Sequence, residues 1–103
     1  MLNNLKYQKF EREIRQVYDI PAWLIHKAID IEYRALLDDL GGFRRKKPQK
    51  ALEDALDNAR RWIREPIDQQ SLTAETILLY RPSRLFFGLL YLHRKPEVKA
   101  NEN

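Results

Sequence analysis

Cysteine is absent from this chain of 103 residues, and glycine occurs only three times. Without cysteine the chain can form no disulfide and can use no thiolate as a nucleophile or as a metal ligand. A reducing compartment is therefore permitted. The scarcity of glycine, together with the many Leu, Ala, Glu, Lys and Arg residues, favours helix over sheet.

Long hydrophobic runs are also absent. A membrane-spanning helix needs about 20 apolar residues, whereas the longest apolar run here, Leu85 to Leu92, is interrupted by Gly88. The opening stretch MLNNLKYQKFEREIRQ is too polar for the hydrophobic region of a signal peptide. The sequence therefore predicts a cytoplasmic protein with no membrane partner.

The apolar residues recur at intervals of three and four, and no segment shows the sustained alternation that marks a strand. A chain of this length is expected to form one domain. We therefore predict an all-α fold, a compact bundle of about five helices over residues 1–96, followed by a flexible tail at 97–103. The predicted helices cover residues 3–18, 21–40, 48–64, 73–80 and 83–94, with Pro or Gly residues between them.

The second predicted helix carries a broad apolar stripe. Its main positions are Trp23, Leu24, Ala28, Ile31, Ala35, Leu37 and Leu40, and the stripe is widened by Ile25, Ile29 and Leu36. A stripe of that width predicts contact with partners on two sides. Since the fifth helix is also rich in apolar residues, we expect the chain to be part of a larger assembly.

The histidines and serines give no sign of a catalytic or metal site. His26 and His93 lie in predicted helices without a second ligand at metal spacing, and a zinc site needs three or four ligands. Ser71 and Ser83 lack the context of an activated nucleophile and are interpreted as helix caps.

The acidic pairs and the glycines also give no sign of a catalytic or metal site. Asp38 and Asp39 are neighbours on a helix and point in different directions. Asp54 and Asp57 lie in the first half of the third helix, where they stabilise its dipole. Gly41-Gly42 ends a helix and is no phosphate-binding loop. We therefore predict no enzyme activity, no metal and no cofactor.

The net charge of +4 is unevenly distributed. Residues 41–47 hold four basic residues and no acid, and residues 73–103 hold five basic residues against three acids. Residues 1–40, with six basic and seven acidic residues, and residues 48–72, with four and five, each have a net charge of −1. A localised positive excess can attract an anionic partner.

Basic residues, several of them beside aromatic ones, are the remaining signal. Phosphate contacts need cations on a loop or helix surface, and single strands also use aromatic faces for stacking. These residues also have a structural interpretation. The basic loop at 44–47 can be a solvated turn, and Trp62 and Tyr80 can be packed in the core. Taken together, they predict a nucleic-acid-binding surface formed by Arg44, Arg45, Lys46, Lys47, Arg60, Arg61, Arg64, Arg81, Arg84, Arg94 and Lys95.

Three stretches of the sequence resemble a known family: YDIPAWLIHKAIDIEYRALL (18–37), LGG (40–42) and LYRPSRLFFGLLYLHRK (79–95). They are similar to the C-terminal helical segment of the large subunit of type I-D CRISPR interference complexes, which is also made separately as the small subunit of Cascade. The resemblance covers nearly the whole chain. It implies a helical bundle, present in more than one copy in an antiviral ribonucleoprotein, that contacts the strands of the R-loop without cutting them. No binding residue is carried over from the family.

The leading hypothesis is therefore a non-catalytic subunit that binds the backbone of a single strand or a heteroduplex through basic patches, among other protein subunits. A protein-interaction adaptor that docks through its apolar stripes is the first alternative. A small DNA-binding regulator is the second. The helix that follows Arg81-Pro82-Ser83 is too apolar to lie in a major groove, which argues against base-specific duplex reading.

Overall fold

Four α-helices and one 3₁₀ helix form the part of the chain that the computed structural model describes, which is residues 4–37, 47–68, 70, 72–74 and 81–96. The elements are α1 (Leu5–Val17), α2 (Ala22–Leu37), α3 (Pro48–Arg64), α4 (Pro82–Leu89) and the 3₁₀ helix Leu90–His93. These residues contain no strand, so the predicted all-α fold is confirmed. Most of the predicted helix at 73–80, and the predicted tail at 97–103, lie outside the described residues.

The helix ends follow the local sequence. The Asn4 side chain accepts a hydrogen bond of 2.6 Å from the N–H of Lys6 and so caps α1. Pro48 stands at the first position of α3, where its missing N–H costs nothing, and α3 has the predicted bounds. The predicted bounds of the third helix are thus confirmed.

The core lies where α2, α3 and α4 pack on one another, with α1 against α2 and α3. Ala51, Ala55 and Ala59 repeat every fourth residue of α3 and are fully buried, so their small side chains let neighbouring helices approach. Phe10 of α1 and Phe87 of α4 are also fully buried, and their rings meet edge to face with centroids 6.0 Å apart. All four helices therefore share one core.

The buried face of α2 differs from the predicted stripe. Trp23, a main position of that stripe, is 65% exposed, and Ala35 is exposed as well. The residues that α2 buries are Ile25, Ala28, Ile29, Glu32 and Tyr33. The buried face thus shares Ile25, Ala28 and Ile29 with the predicted stripe, and it also contains Glu32, which is paired in the interior.

The fifth predicted helix is also corrected. Instead of one helix over 83–94, α4 ends at Leu89 and the chain tightens into the 3₁₀ helix, as often happens at a helix C-terminus. Ser83 is not the cap of this helix. The cap position belongs to Arg81, while the hydroxyl of Ser83 is buried and donates to Glu32 at 3.1 Å.

Candidate functional site

The C-terminal segment of the described chain returns to the connection between α1 and α2. Residues 93–95 run antiparallel to residues 17–19. The N–H of Lys95 donates to the carbonyl of Val17 at 2.8 Å, and the N–H of Asp19 donates to the carbonyl of residue 93 at 3.3 Å. Segments about 75 residues apart along the chain are therefore neighbours in the fold.

Lys95 also completes the end of α1. Its Nζ donates to the backbone carbonyl of Arg15 at 2.8 Å. The last carbonyls of a helix have no partner inside the helix, and a cation is favoured beside them by the helix dipole. Lys95 is therefore fixed against the same turn of α1 that carries Arg15.

The residues gathered at this point are called the basic corner, which consists of Arg15, Tyr91, Arg94 and Lys95. All four are exposed, and Tyr91 is 55% exposed. Two acids are near them: Asp19, which is exposed too, and Glu11, one turn before Arg15 on α1. The corner thus carries three cations, these two carboxylates close by, and an exposed aromatic side chain.

Tyr18, whose backbone is bridged to that of Arg94, is the buried titratable residue at this corner. Burial raises the pKa of Tyr18, while the positive charge of Arg94 opposes that rise and Tyr91 adds to it. The charge of Arg94 therefore favours the ionised form of the Tyr18 hydroxyl, and burial disfavours it.

A shallow depression on the surface of α1 leads to the basic corner. It is lined by Gln8, Glu11, Arg12, Arg15 and Gln16. Guanidinium and amide groups are typical donors to phosphate oxygens. Since Arg15 belongs both to this depression and to the basic corner, the two form one continuous surface.

A second groove, between α1 and α3, has a different character. It is lined by Lys6, Lys9, Glu53, Leu56, Asp57 and Arg60. Lys6 is paired with Glu53, whose pKa it lowers by hydrogen bonding and by its charge. Arg60 lies 3.8 Å from the carboxylate of Asp57. Because carboxylates offset the cations here, this groove is a weaker candidate for an anionic ligand.

Two of the arginines proposed from the sequence pack against aromatic rings. The guanidinium of Arg60 lies 5.2 Å from the ring centroid of Phe10 and 3.7 Å from the carboxylate of Glu13. That of Arg84 lies 5.7 Å from the ring centroid of Trp62. Such cation–π contacts stabilise the packing of helices. We therefore leave Arg60 and Arg84 out of the candidate interface.

Arg81 belongs to a polar group in the core, called here the Glu32 cluster. Glu32 is fully buried, and the Nη1 atom of Arg81 lies 3.0 and 2.9 Å from its two carboxylate oxygens. Ser83 donates to one of these oxygens at 3.1 Å and Asn58 to the other at 2.9 Å. The cluster joins α2, α3 and the start of α4, so Arg81 has a structural role.

The sequence reasoning missed Glu32 as a buried residue. The signal that could have found it is its spacing, because Ile25, Ile29, Glu32 and Leu36 follow one another at intervals of four, three and four. A charged residue inside a buried helical stripe requires a partner of opposite charge or several hydrogen-bond donors. The identity of that partner, 49 residues further on, has no local signature.

The remaining candidates are exposed. Arg61 donates to the side-chain oxygen of Asn58 at 3.2 Å, and Arg64 donates to the carbonyl of residue 60 at 3.4 Å. Arg94 and Lys95 are brought to the turn of α1 that carries Arg15, a residue that the sequence analysis did not assign to the site. Lys47 lies at the N-terminal cap of α3, while Arg44, Arg45 and Lys46 fall outside the described residues.

Three further searches complete the description of the site. Within the described ranges, no three His, Asp or Glu side chains are grouped in a way that could hold a metal ion. None of the helices described here is long and apolar enough to cross a membrane. Comparisons with protein-family models, with curated proteins and with solved structures found no match to this chain.

Proposed function

We propose that this chain is a non-catalytic, nucleic-acid-binding subunit of a larger complex, and that it holds the phosphate backbone at the basic corner. The observation that carries the proposal is the pairing of residues 93–95 with residues 17–19. This pairing places Arg94 and Lys95 beside Arg15, although the residues come from opposite ends of the chain. A cationic surface built by the fold is a stronger basis for binding than a run of charges in the sequence.

The chemistry of the corner suits a phosphate backbone. An arginine side chain offers five N–H donors and a lysine ammonium three, of which Lys95 uses one for the carbonyl of Arg15. Each phosphate that a cation neutralises releases counterions, so binding of this kind weakens steeply as salt rises. Such contacts are largely indifferent to base sequence.

The resemblance to the small subunit of type I-D Cascade stays a prediction. In such a complex the chain would bind other protein subunits, including further copies of itself, and would contact strands of the R-loop. The exposed Trp23, on the outer side of α2, is available for contact between subunits. Purification of the chain with its native partners tests this part of the proposal, since a ribonucleoprotein of several proteins and RNA should co-elute.

The binding proposal is tested by fluorescence anisotropy with a labelled oligonucleotide at a series of salt concentrations. We expect the dissociation constant to rise with salt along a linear log–log plot. The double variant Arg94→Gln with Lys95→Gln should bind more weakly and should lower the slope of that plot by roughly 1 to 2. Circular dichroism of the variant checks that it remains folded.

The matched control is the double variant Lys27→Gln with Arg34→Gln. Both residues are exposed on α2, and their replacement removes the same amount of charge. We expect the slope of this variant to equal that of the wild type. Equal slopes for all three proteins would show that the basic corner does not contact phosphate.

A protein-interaction adaptor is the second candidate, and exposed apolar side chains favour it. Leu5 is 81% exposed, Trp23 65% and Leu92 54%. Large apolar side chains at a surface are typical of protein contacts when they form one patch. This function predicts binding to a protein partner that does not depend on salt, together with no affinity for oligonucleotides.

A further inference from the structure

We infer that Tyr91 stacks on an unpaired base, and that the ligand of the basic corner is consequently a single-stranded polynucleotide. This inference rests on the proposed function and narrows it, since phosphate contacts alone do not distinguish a single strand from a duplex. Its basis is the placement of one exposed aromatic ring beside the cations of the corner.

The first argument is that the Tyr91 side chain is exposed and contributes little to the core. The preceding residue, Leu90, is almost fully buried and anchors the 3₁₀ helix in the core. Tyr91 itself leaves more than half of its surface in contact with solvent. An aromatic side chain that contributes little to the core remains available to a ligand.

The second argument is that the backbone of Tyr91 and of the residues that follow it is held by hydrogen bonds. Its carbonyl accepts a hydrogen bond of 3.3 Å from the N–H of Arg94, and residues 93–95 are paired with residues 17–19. A tyrosine on a fixed backbone has only two side-chain torsions to order when a ligand binds. Stacking on it therefore has a small entropic cost.

The third argument is charge complementarity. Tyr91 and Arg94 are three residues apart at the end of the 3₁₀ helix, where the N–H of Arg94 donates to the carbonyl of Tyr91 at 3.3 Å, so the aromatic residue and the cation lie on the same turn. Proteins that bind single strands combine a positive surface along the backbone with aromatic faces for the bases. In a duplex the faces of the bases are covered by their neighbours, and exposing one costs unstacking energy.

The test compares strands that differ in their bases but not in their phosphates. Labelled oligothymidine and oligouridine supply unpaired bases, an abasic phosphodiester of the same length supplies only the backbone, and a duplex supplies stacked bases. We expect the wild type to bind the two single strands most tightly. We expect Tyr91→Ala to weaken binding to oligothymidine by at least about fivefold, which is the lower range for one base stacked on an aromatic side chain.

Three variants sharpen the result. Tyr91→Phe keeps the ring and should bind like the wild type, whereas Tyr91→Leu keeps apolar bulk and should bind like Tyr91→Ala. Leu92→Ala is the matched control, because Leu92 is the next residue on the same 3₁₀ helix and is similarly exposed. It should leave the affinity for every strand unchanged. On the abasic strand, the wild type and Tyr91→Ala should have equal affinity.

The two proposals fail in different ways. If Tyr91→Ala binds oligothymidine as tightly as the wild type while the Arg94/Lys95 variant shows the lowered salt slope, stacking is wrong and the phosphate-binding function stands. Equal wild-type affinity for the duplex and the single strand would also overturn the stacking proposal. If no strand binds in a salt-dependent manner, the proposed function is wrong and the inference falls with it.

Discussion

At the scale of single residues, Glu32 and Arg81 determine how three helices meet. A buried carboxylate is costly unless donors surround it, and Glu32 receives hydrogen bonds from Asn58, Arg81 and Ser83. Glu32 belongs to α2, whereas Asn58 belongs to α3, and Arg81 and Ser83 stand at the start of α4. The interaction therefore acts on the relative position of α2, α3 and α4 rather than within one helix.

We predict that Arg81→Ala lowers the free energy of unfolding by about 2–4 kcal/mol, because it leaves the carboxylate of Glu32 in the core with only neutral donors. Half of the Arg81 side chain is exposed, so solvent should reach the carboxylate in the variant and moderate the loss. Urea unfolding followed by circular dichroism measures the change.

The control for this prediction is Arg34→Ala. Arg34 also pairs with a carboxylate, that of Asp30 at 2.8 Å, but the pair lies on the surface of α2. Surface pairs contribute about 0–1 kcal/mol. Equal losses in Arg81→Ala and Arg34→Ala would mean that the Glu32 cluster adds no more to stability than a surface ion pair does.

At the scale of elements, Gly88 lets α4 approach the segment that follows α3. A Cβ atom built at Gly88 would lie 2.7 and 2.8 Å from two carbon atoms of Ile67 and 2.6 Å from the Nη1 atom of Arg84. The backbone confirms the close approach, because the N–H of Ile67 donates to the carbonyl of Gly88 at 3.2 Å. The glycine is thus required by packing in the middle of a helix.

We predict that Gly88→Ala destabilises the protein although alanine is the better helix former. The gain in helix propensity is about 1 kcal/mol, whereas overpacking costs typically about 1–3 kcal/mol. The free energy of unfolding should therefore fall by roughly 1 kcal/mol. Thermal unfolding followed by circular dichroism detects a change of that size.

A second background isolates the contact that is responsible. In Ile67→Ala both carbon contacts are removed and only the flexible end of the Arg84 side chain has to move, so adding Gly88→Ala should cost less than it does in the wild type. If Gly88→Ala costs the same in both backgrounds, its effect does not come from the contact with Ile67.

At the scale of the whole molecule, the sequence predicted what is local. The all-α class and the bounds of α3 follow from proline placement and from apolar residues at intervals of three and four. Each of these signals involves residues within about one helix length of each other. They therefore favour a helix without any tertiary contact.

The candidate site was much less predictable. Arg94 and Lys95 could be selected by their charge, but their position beside Arg15 depends on a bridge between residues 18 and 94. One bridge pair leaves no periodic pattern in the sequence. Likewise, Arg81 could be selected from the sequence by its charge, whereas its ion pair with the buried Glu32 could not be predicted. Ion pairs between distant residues are a property of the fold.

The shared core leads to a prediction about cooperativity. The buried cluster takes residues from every described helix, the Glu32 cluster joins three of them, and residues 93–95 attach α1 to the C-terminal segment. Small domains connected in this way usually unfold in one all-or-none transition. We therefore predict that no described helix melts separately.

The two tryptophans allow this to be measured. Trp62 packs against the core whereas Trp23 is mostly exposed, so in the variant Trp23→Phe the fluorescence reports on Trp62 alone. On heating, the loss of helix seen by far-ultraviolet circular dichroism should coincide with the change in Trp62 fluorescence, because both follow the same transition. A loss of helix that precedes the fluorescence change would contradict the prediction, because it would show that part of the helical structure leaves the core before Trp62 does.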